Sequence, residues 1–333
     1  MSFDLYAIGN ALVDSEYVVN DDFLAKQNIA KGQMTLIDQA QQQGLIAALQ
    51  AEFHCAKRAS GGSAANSVIA FAALGGSAFY ACKVAKDDNG DFYLHDLRAA
   101  GVSAPHHAQV EQGITGTCVV MVTPDSERTM HTFLGITAEL SPQELDLDAL
   151  NKARYLYIEG YLATSPSARH AVASARALAK AQNIKTALTF SDPAMVQYAR
   201  DGLTEMLEDG VDILFCNEHE AKLWANTDDL AQAIQALHQL SPLLAITCGD
   251  KGAIISNKGQ QITIAPFPVT ALDSNGAGDA FAGAFLYGVS QQWPLADCGR
   301  LASRIAAQVV SQFGPRLNTE LYSQLLKETI SQQ

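Results

Sequence analysis

The sequence predicts an α/β protein: a three-layer α/β/α body with a mostly parallel sheet, carrying a small β-sheet as a lid. Three observations lead there. From about Asp146 to Cys248, apolar strand-like runs alternate with helical patterns, as in a parallel sheet covered on both faces. Two stretches, Ala11–Asp38 and the pair Thr117–Thr123 and Arg128–Phe133, break that alternation. Two glycine-rich junctions, Ser60–Asn66 and Ala271–Gly283, stand where a loop runs into a helix.

Taken in order, Phe3–Ile8 reads as a short buried strand ending at Gly9-Asn10. In Ala11–Asp38, the polar residues Asp14, Glu16, Asn20, Asp21 and Asp22 interrupt any long apolar face, which predicts strands of the separate small sheet. A helix follows over Gln39–Phe53, then a helix over Ala64–Leu74, a strand over Ser77–Ala85 and a helix over Asn89–Ala100, stopped by Gly101. Thr117–Thr123 and Arg128–Phe133 flank Pro124-Asp125-Ser126-Glu127 and read as a hairpin. The alternation then runs through helix Asp146–Ala153, strand Tyr155–Glu159, helix Pro166–Gln182, strand Thr186–Ser191 and helix Ala194–Leu207. Strand Asp212–Cys216, helices Glu218–Ala225 and Asp228–Leu240, and strand Leu243–Cys248 complete it. Gln261–Val269 is β-like, Ala277–Leu286 is helical, and Pro294–Ser331 is helical with a break at Gly314-Pro315. Residues 1–10, 39–105 and 139–333 are therefore assigned to the large body and 11–38 and 106–138 to the lid, interleaved rather than consecutive.

The chain has 333 residues, 48% hydrophobic and 17% charged, enough for about two domains at ~150 residues each. A net charge of −13 without any basic run argues against nucleic acid as a partner. No stretch approaches the ~20 apolar residues of a membrane span. Nor does a basic, then apolar, leader precede Phe3–Ile8, so the expected location is the cytoplasm. Cys55, Cys82, Cys118, Cys216, Cys248 and Cys298 show no C-x-x-C spacing and read as free thiols. Oligomeric state is left open between monomer and homodimer.

The run Ala271–Gly283, A-L-D-S-N-G-A-G-D-A-F-A-G, carries the chemistry. The first amides of a helix lack internal partners and hold partial positive charge, so a helix opened by Gly276, Ala277 and Gly278 is an anion cradle. Asp279 sets a carboxylate in the same turn. A cradle with an adjacent general base is what phosphoryl transfer to a hydroxyl requires. Competing motifs fail: Phe281 stands where a dinucleotide fingerprint needs its third glycine, and no G-x-x-x-x-G-K-[ST] occurs. Asn217-Glu218-His219-Glu220 is not a zinc motif, because Leu223 stands at the second histidine position. At Ser60–Asn66 a nucleophile elbow would need glycine at Ala65, and the plain alternative is helix capping by Ser60 or Ser63. The glycines and the Asn66 amide would equally suit a polyol, offering close approach together with a donor and an acceptor.

Asp273–Asp279 closely resembles the D-T-x-G-A-G-D motif of the ribokinase-like sugar and nucleoside kinases, the PfkB family, with Ser274 in place of Thr. Gly61-Gly62-Ser63-Ala64-Ala65-Asn66, Asn217–Glu220 and Thr247–Gly252 resemble that family's G-G-x-x-x-N, N-x-x-E and T-x-G-x-x-G motifs in family order. Gly9–Asp14, Arg128–Gly135, Glu159–Leu162 and Phe313–Arg316 look like segments of bacterial adenosine-kinase-like members. The resemblance implies an ATP- and Mg²⁺-dependent kinase acting on a primary hydroxyl of a nucleoside or sugar, adenosine first. A ribokinase- or fructokinase-type sugar kinase, or an inactive nucleotide-binding protein of the same fold, is the alternative. A nicotinamide oxidoreductase is disfavoured by Phe281. By the same resemblance Asn10, Asp14, Gly61, Gly62, Ser63 and Asn66 face the acceptor, and Leu12, Leu134 and Tyr161 wall the base. Arg128, just after the hairpin turn, is a candidate for neutralising phosphate charge, the alternative being a solvated charge on the hairpin. Asn217, Glu220, Thr247, Gly249, Gly252 and Gly314 are implied at the nucleotide. Glu220 would hold Mg²⁺ through water, and Asp273 and Asn275 a monovalent cation such as K⁺.

Overall fold

Apolar strands pair with one another wherever both faces can be covered, and the central strand Phe3–Ile8 is the clearest case: Leu5, Tyr6, Ala7 and Ile8 are all fully buried. The computed structural model describes residues 2–331 apart from 106, 107, 111 and 126. The hairpin position Ser126 and the segment limits 1, 106 and 333 therefore lie outside the described residues.

Phe3–Ile8 pairs in parallel with Ala153–Ile158 on one side and Ala78–Ala81 on the other. The nine-stranded sheet continues in parallel through Lys185–Thr189, Ile213–Asn217 and Leu243–Thr247, then ends in the antiparallel strands Ala253–Asn257 and Gln260–Ile264. Val102–Ser103 forms the opposite edge. Helices Ser63–Ala73, Ala277–Ser290 and Leu295–Val310 cover one face around Phe71, Phe281 and Phe285, and helices including Pro166–Gln182 cover the other. The α/β expectation is what the chain adopts.

The small sheet has five strands in the order Met34–Leu36, Arg128–Phe133, Gly116–Val122, Leu12–Val18 and Cys55–Gly61. Along Gly116–Val122 the pleat sends Val119 and Met121 to one core with Tyr17, Phe23, Leu45 and Leu49, and Cys118, Val120 and Val122 to the other face. The expected hairpin is present, with Arg128 opposite Val122 and Phe133 opposite Thr117.

Several sequence expectations are corrected. Cys55–Gly61, expected with the large body, pairs with Leu12–Val18 in the small sheet. Ala11–Asp38 is not all strand, because Asn20 caps a short helix, Asp21–Lys26, by accepting from the Phe23 amide. Ser77–Ala85 divides into Ala78–Ala81 and Val84–Ala85, the latter pairing with Gln109–Val110. Ala194–Leu207 is two helices, Pro193–Tyr198 and Arg200–Leu207, broken at Ala199. Asp146–Ala153 shortens to Leu147–Leu150, and the β-like run Gln261–Val269 to Gln260–Ile264.

Candidate active site

In an open parallel sheet the carboxyl ends of the strands expose turns that no neighbour covers. Here those ends deliver Asn10, Glu159, Ser191, Asp192, Asn217 and Thr247 to one cavity of about 630 Å³. The lid closes its far side with Leu12, Asp14, Met34, Arg128, Met130 and Leu134, and the anion loop supplies Asp273–Gly276, Gly278 and Asp279. A second cavity of about 590 Å³ opens elsewhere on the body among Asp209, Asp212, His238 and Lys258. No glycine-rich junction reaches it, so the chemistry belongs to the first.

Helix Ala277–Ser290 begins at Gly276 with φ +75° and no side-chain cap, which leaves its first turn open to an anion. A Cβ on Gly276 would stand 2.4 Å from Pro315 Cβ, so the loop requires glycine there. Gly278 faces open space instead. The Ala277 amide, expected in the cradle, donates to the Ser274 carbonyl at 3.3 Å and does not line the cavity.

Asp279 is held between two donors from the other glycine-rich junction: Ser63 Oγ at 2.6 Å and Asn66 Nδ2 at 3.0 Å. Ser63 and Ser60 are therefore not helix caps. Gly62 occupies the cap position, and Ser60 donates to Asp96 Oδ2 at 2.6 Å. Burial raises the Asp279 carboxyl to about 6, against the lowering effect of Ser63, Asn66 and Arg316. A carboxyl titrating there is ionised at neutral pH and still basic enough to accept a proton.

Asp14 packs its carboxylate over Gly61, where a Cβ would fall 2.2 Å from Oδ1, which is why that junction carries a glycine. Burial raises the Asp14 carboxyl to about 7, opposed by Arg316 and Arg128. Glu220 also titrates near 7 through burial, with Asp192 and Asp279 adding to the rise. It closes a capping box: Asn217 accepts from the Glu220 amide at 2.8 Å, while Glu220 accepts from the Asn217 amide at 2.9 Å.

Three expected roles change. Arg128 is committed to Asp273 at 2.5 Å and Glu16 at 3.1 Å rather than standing free for phosphate. Asp273 meets that guanidinium and also accepts from the Asn275 and Gly314 amides, at 3.0 and 2.8 Å. Both Asp273 oxygens are thus engaged by donors, Oδ1 by the Asn275 amide and Oδ2 by Arg128 and the Gly314 amide, rather than standing free for a monovalent cation. Gly249, Gly252 and Gly314 do not line the cavity, and Gly314 contributes its amide to Asp273 instead.

Residues 26–321 match the profile of the pfkB family carbohydrate kinases. The chain belongs to that family. It is similar to the solved adenosine kinase of Sinorhizobium meliloti, at 33% identity and TM-score 0.90, covering 98% of this chain and 99% of that one. A probable sugar kinase of Rhizobium etli is 34% identical, also at TM-score 0.90, with 98% and 99% covered. The adenosine kinase of Saccharomyces cerevisiae is 28% identical over 97% of this chain and 99% of its own. The chain thus has the ribokinase-like fold and is a phosphotransferase of the pfkB type.

Besides Met34, Met130, Ser191 and Asp192 of the cavity lining, two residues that organise this pfkB kinase's site were not assigned from the sequence. Glu159 is buried and accepts from the Ala64 amide at 2.9 Å, the Asn10 amide at 3.3 Å and Asn10 Nδ2 at 3.0 Å, tying two substrate-side turns together. Its signal was a lone acid at the end of the apolar run Tyr155–Ile158. Arg316 donates through Nε to Asn66 Oδ1 at 2.9 Å, and its sequence signal was only its place at the end of the family-like segment Phe313–Arg316. Among the described residues no helix is long and apolar enough to cross a membrane, and all six cysteines are unbridged.

Proposed function

We propose that this chain transfers the γ-phosphoryl group of ATP to the 5′-hydroxyl of adenosine. The observation that carries the reading is the two-part acceptor side of the cavity. Asn10, Asp14, Gly62 and Asn66 line the cavity with polar groups, Asn66 bonded directly to Asp279, and Leu12, Met34, Met130 and Leu134 add an apolar lining. A ribose suits the polar groups and a flat base the apolar lining, whereas a free sugar leaves that lining bare. Asp279 takes the hydroxyl proton as the oxygen attacks, and the open turn at Gly278 receives the phosphoryl oxygens.

Seven carboxylates line the cavity (Asp14, Glu127, Glu159, Asp192, Glu220, Asp273 and Asp279) against one guanidinium, Arg128. A polyphosphate entering that field needs a counter-cation. pfkB kinases use ATP with Mg²⁺, and a buried carboxylate such as Glu220, raised to about 7 by burial and facing other acids, fits a cation. Glu220 and Asn217 would hold hydrated Mg²⁺, which supplies charge neutralisation to the phosphates.

The similarity to a probable sugar kinase makes ribose and fructose the competing acceptors. The test is ADP release with Mg·ATP and a panel of adenosine, other nucleosides, ribose and fructose. Burying roughly 100 Å² of base at about 25 cal/mol per Å² gives ~2.5 kcal/mol, so adenosine should exceed ribose by ~70-fold in kcat/KM. Sugars used as well as adenosine would overturn the nucleoside reading, and binding without turnover would overturn the kinase reading.

A further inference from the structure

An asparagine side chain can face either way round, and which way it faces decides whether it helps or opposes a neighbouring carboxylate. Asn66 lies between Asp279 and Arg316, with Nδ2 3.0 Å from Asp279 Oδ2 and Oδ1 2.9 Å from Arg316 Nε. A guanidinium only donates. With the amide reversed, NH₂ would meet N–H and oxygen would meet carboxylate. Arg316 is in turn gripped from behind. Nη1 and Nη2 both reach Ser60 Oγ at 3.2 Å, and Nη1 stands 3.3 Å from Asp96 Oδ2. The Arg316 side chain is only 13% exposed, and its planar fork cannot rotate without losing these partners.

We propose that Arg316 is a positioning residue for phosphoryl transfer, fixing the Asn66 amide so that its N–H faces the Asp279 carboxylate. Arg316 touches neither reacting group in this arrangement, and the inference rests on the assignment of Asp279 as the base. It also makes the C-terminal loop, through Gly314-Pro315-Arg316, part of the reaction centre, since Pro315 abuts Gly276 while Arg316 orients Asn66.

Charge gives the same residue a second, measurable effect. The charged groups around Asp279 are Asp14 from the lid, Glu159 from a strand end, Glu220 from helix Glu218–Ala225, and Arg316. The phenols Tyr157, Tyr161 and Tyr322 share its surroundings. Of the charged groups only Arg316 is cationic. Removing a cation disfavours the ionised carboxylate, so the pKa of Asp279 rises and a higher pH is needed to keep the base ready.

The test is a double-mutant cycle of Arg316→Met and Asn66→Ala, read as kcat with Mg·ATP and the best acceptor of the panel, together with kcat/KM against pH. Arg316→Met alone should lower kcat by about 10- to 100-fold. It should also move the acidic limb upward by roughly half a unit to one unit, and Arg316→Lys should return the limb toward wild type. In the Asn66→Ala background Arg316→Met should change kcat by less than about 2-fold, because the partner through which it acts is gone. Multiplicative effects, or an acidic limb that does not move, would overturn the proposal. Thermal denaturation monitors folding, and if Arg316→Met is unfolded, Arg316→Gln enters the same cycle. An acidic limb that persists in Asp279→Asn would discredit the base instead, and the cycle would still decide the coupling of Arg316 to Asn66.

Discussion

Arg128 of the lid and Asp273 of the anion loop form an ion pair at 2.5 Å, with side chains only 9% and 1% exposed. A strand of the small sheet is thereby latched onto the loop that opens helix Ala277–Ser290. Arg128→Met should leave a buried charge without its partner, a loss of about 3–5 kcal/mol in such pairs. The denaturant midpoint should fall accordingly, and amides of Leu12–Val18 should exchange faster with solvent. Unchanged stability and exchange would show that the pair does not hold the lid.

Asp279→Asn keeps shape but cannot accept the hydroxyl proton. Turnover should drop by roughly 10²–10⁴ while acceptor affinity changes little. An enzyme retaining more than about a tenth of wild-type kcat would remove Asp279 from that role.

Gly276 and Gly278 should respond differently to substitution. Gly276→Ala places a Cβ against Pro315 in a left-handed conformation, so it should destabilise the fold as well as reduce activity. Gly278→Val meets open space and should fold normally yet lose turnover, because its side chain occupies the phosphoryl position. A well-folded Gly278→Val enzyme with normal turnover would place the phosphate elsewhere.

Asp14→Ala should act on the acceptor alone. Hydroxyls left buried without a partner lose about 1–3 kcal/mol, or roughly 10- to 100-fold in nucleoside kcat/KM, with the KM for ATP nearly constant. The check is steady-state kinetics with each substrate varied in turn. An unchanged acceptor KM would detach Asp14 from the ribose.

Stability should also depend on pH through the buried acids. The Glu159 carboxyl rises from its ordinary 4.5 to about 7 by burial, outweighing its three hydrogen bonds. The folded state then holds its proton more tightly than the unfolded state. This contribution is fully present below about pH 4.5 and is lost as pH rises through 7. Asp14 and Glu220 act in the same sense. Tm should fall between about pH 5 and 8. Glu159→Gln should be about 1–3 kcal/mol less stable at the acid end, since its amide nitrogen cannot accept from Ala64, and its Tm should decline less steeply. Parallel curves for the two proteins would contradict the shift.

The legible parts of this site were those with local signatures. The loop Gly276–Asp279 and the junction Gly62–Asn66 must be glycine-rich to let backbone or ligand approach, and that need is written in consecutive residues. Helix Pro166–Gln182 was equally plain, with Pro166 at its first position and Asn183 left-handed at its end. Cys55–Gly61 was not, because four of its residues are exposed and no apolar alternation marks it. Helix Asp21–Lys26 is shorter than two turns, so its cap is its only signal. Arg316 and Glu159 act through partners 250 and 95 residues away, a relation that only the folded chain creates.

That distance has a bearing on biosynthesis. The Ser63–Asp279 hydrogen bond spans 216 positions, which at ≈ 5–20 residues per second separates the two residues by roughly 10–40 s of translation. Throughout that interval the nascent helix Ser63–Ala73 has no helix Ala277–Ser290 to pack against Ser67, Ala70 and Phe71, and a chain interrupted before Asp279 lacks the proposed base. Truncated products are thus both inactive and sticky, the kind of chain that chaperones retain and proteases clear.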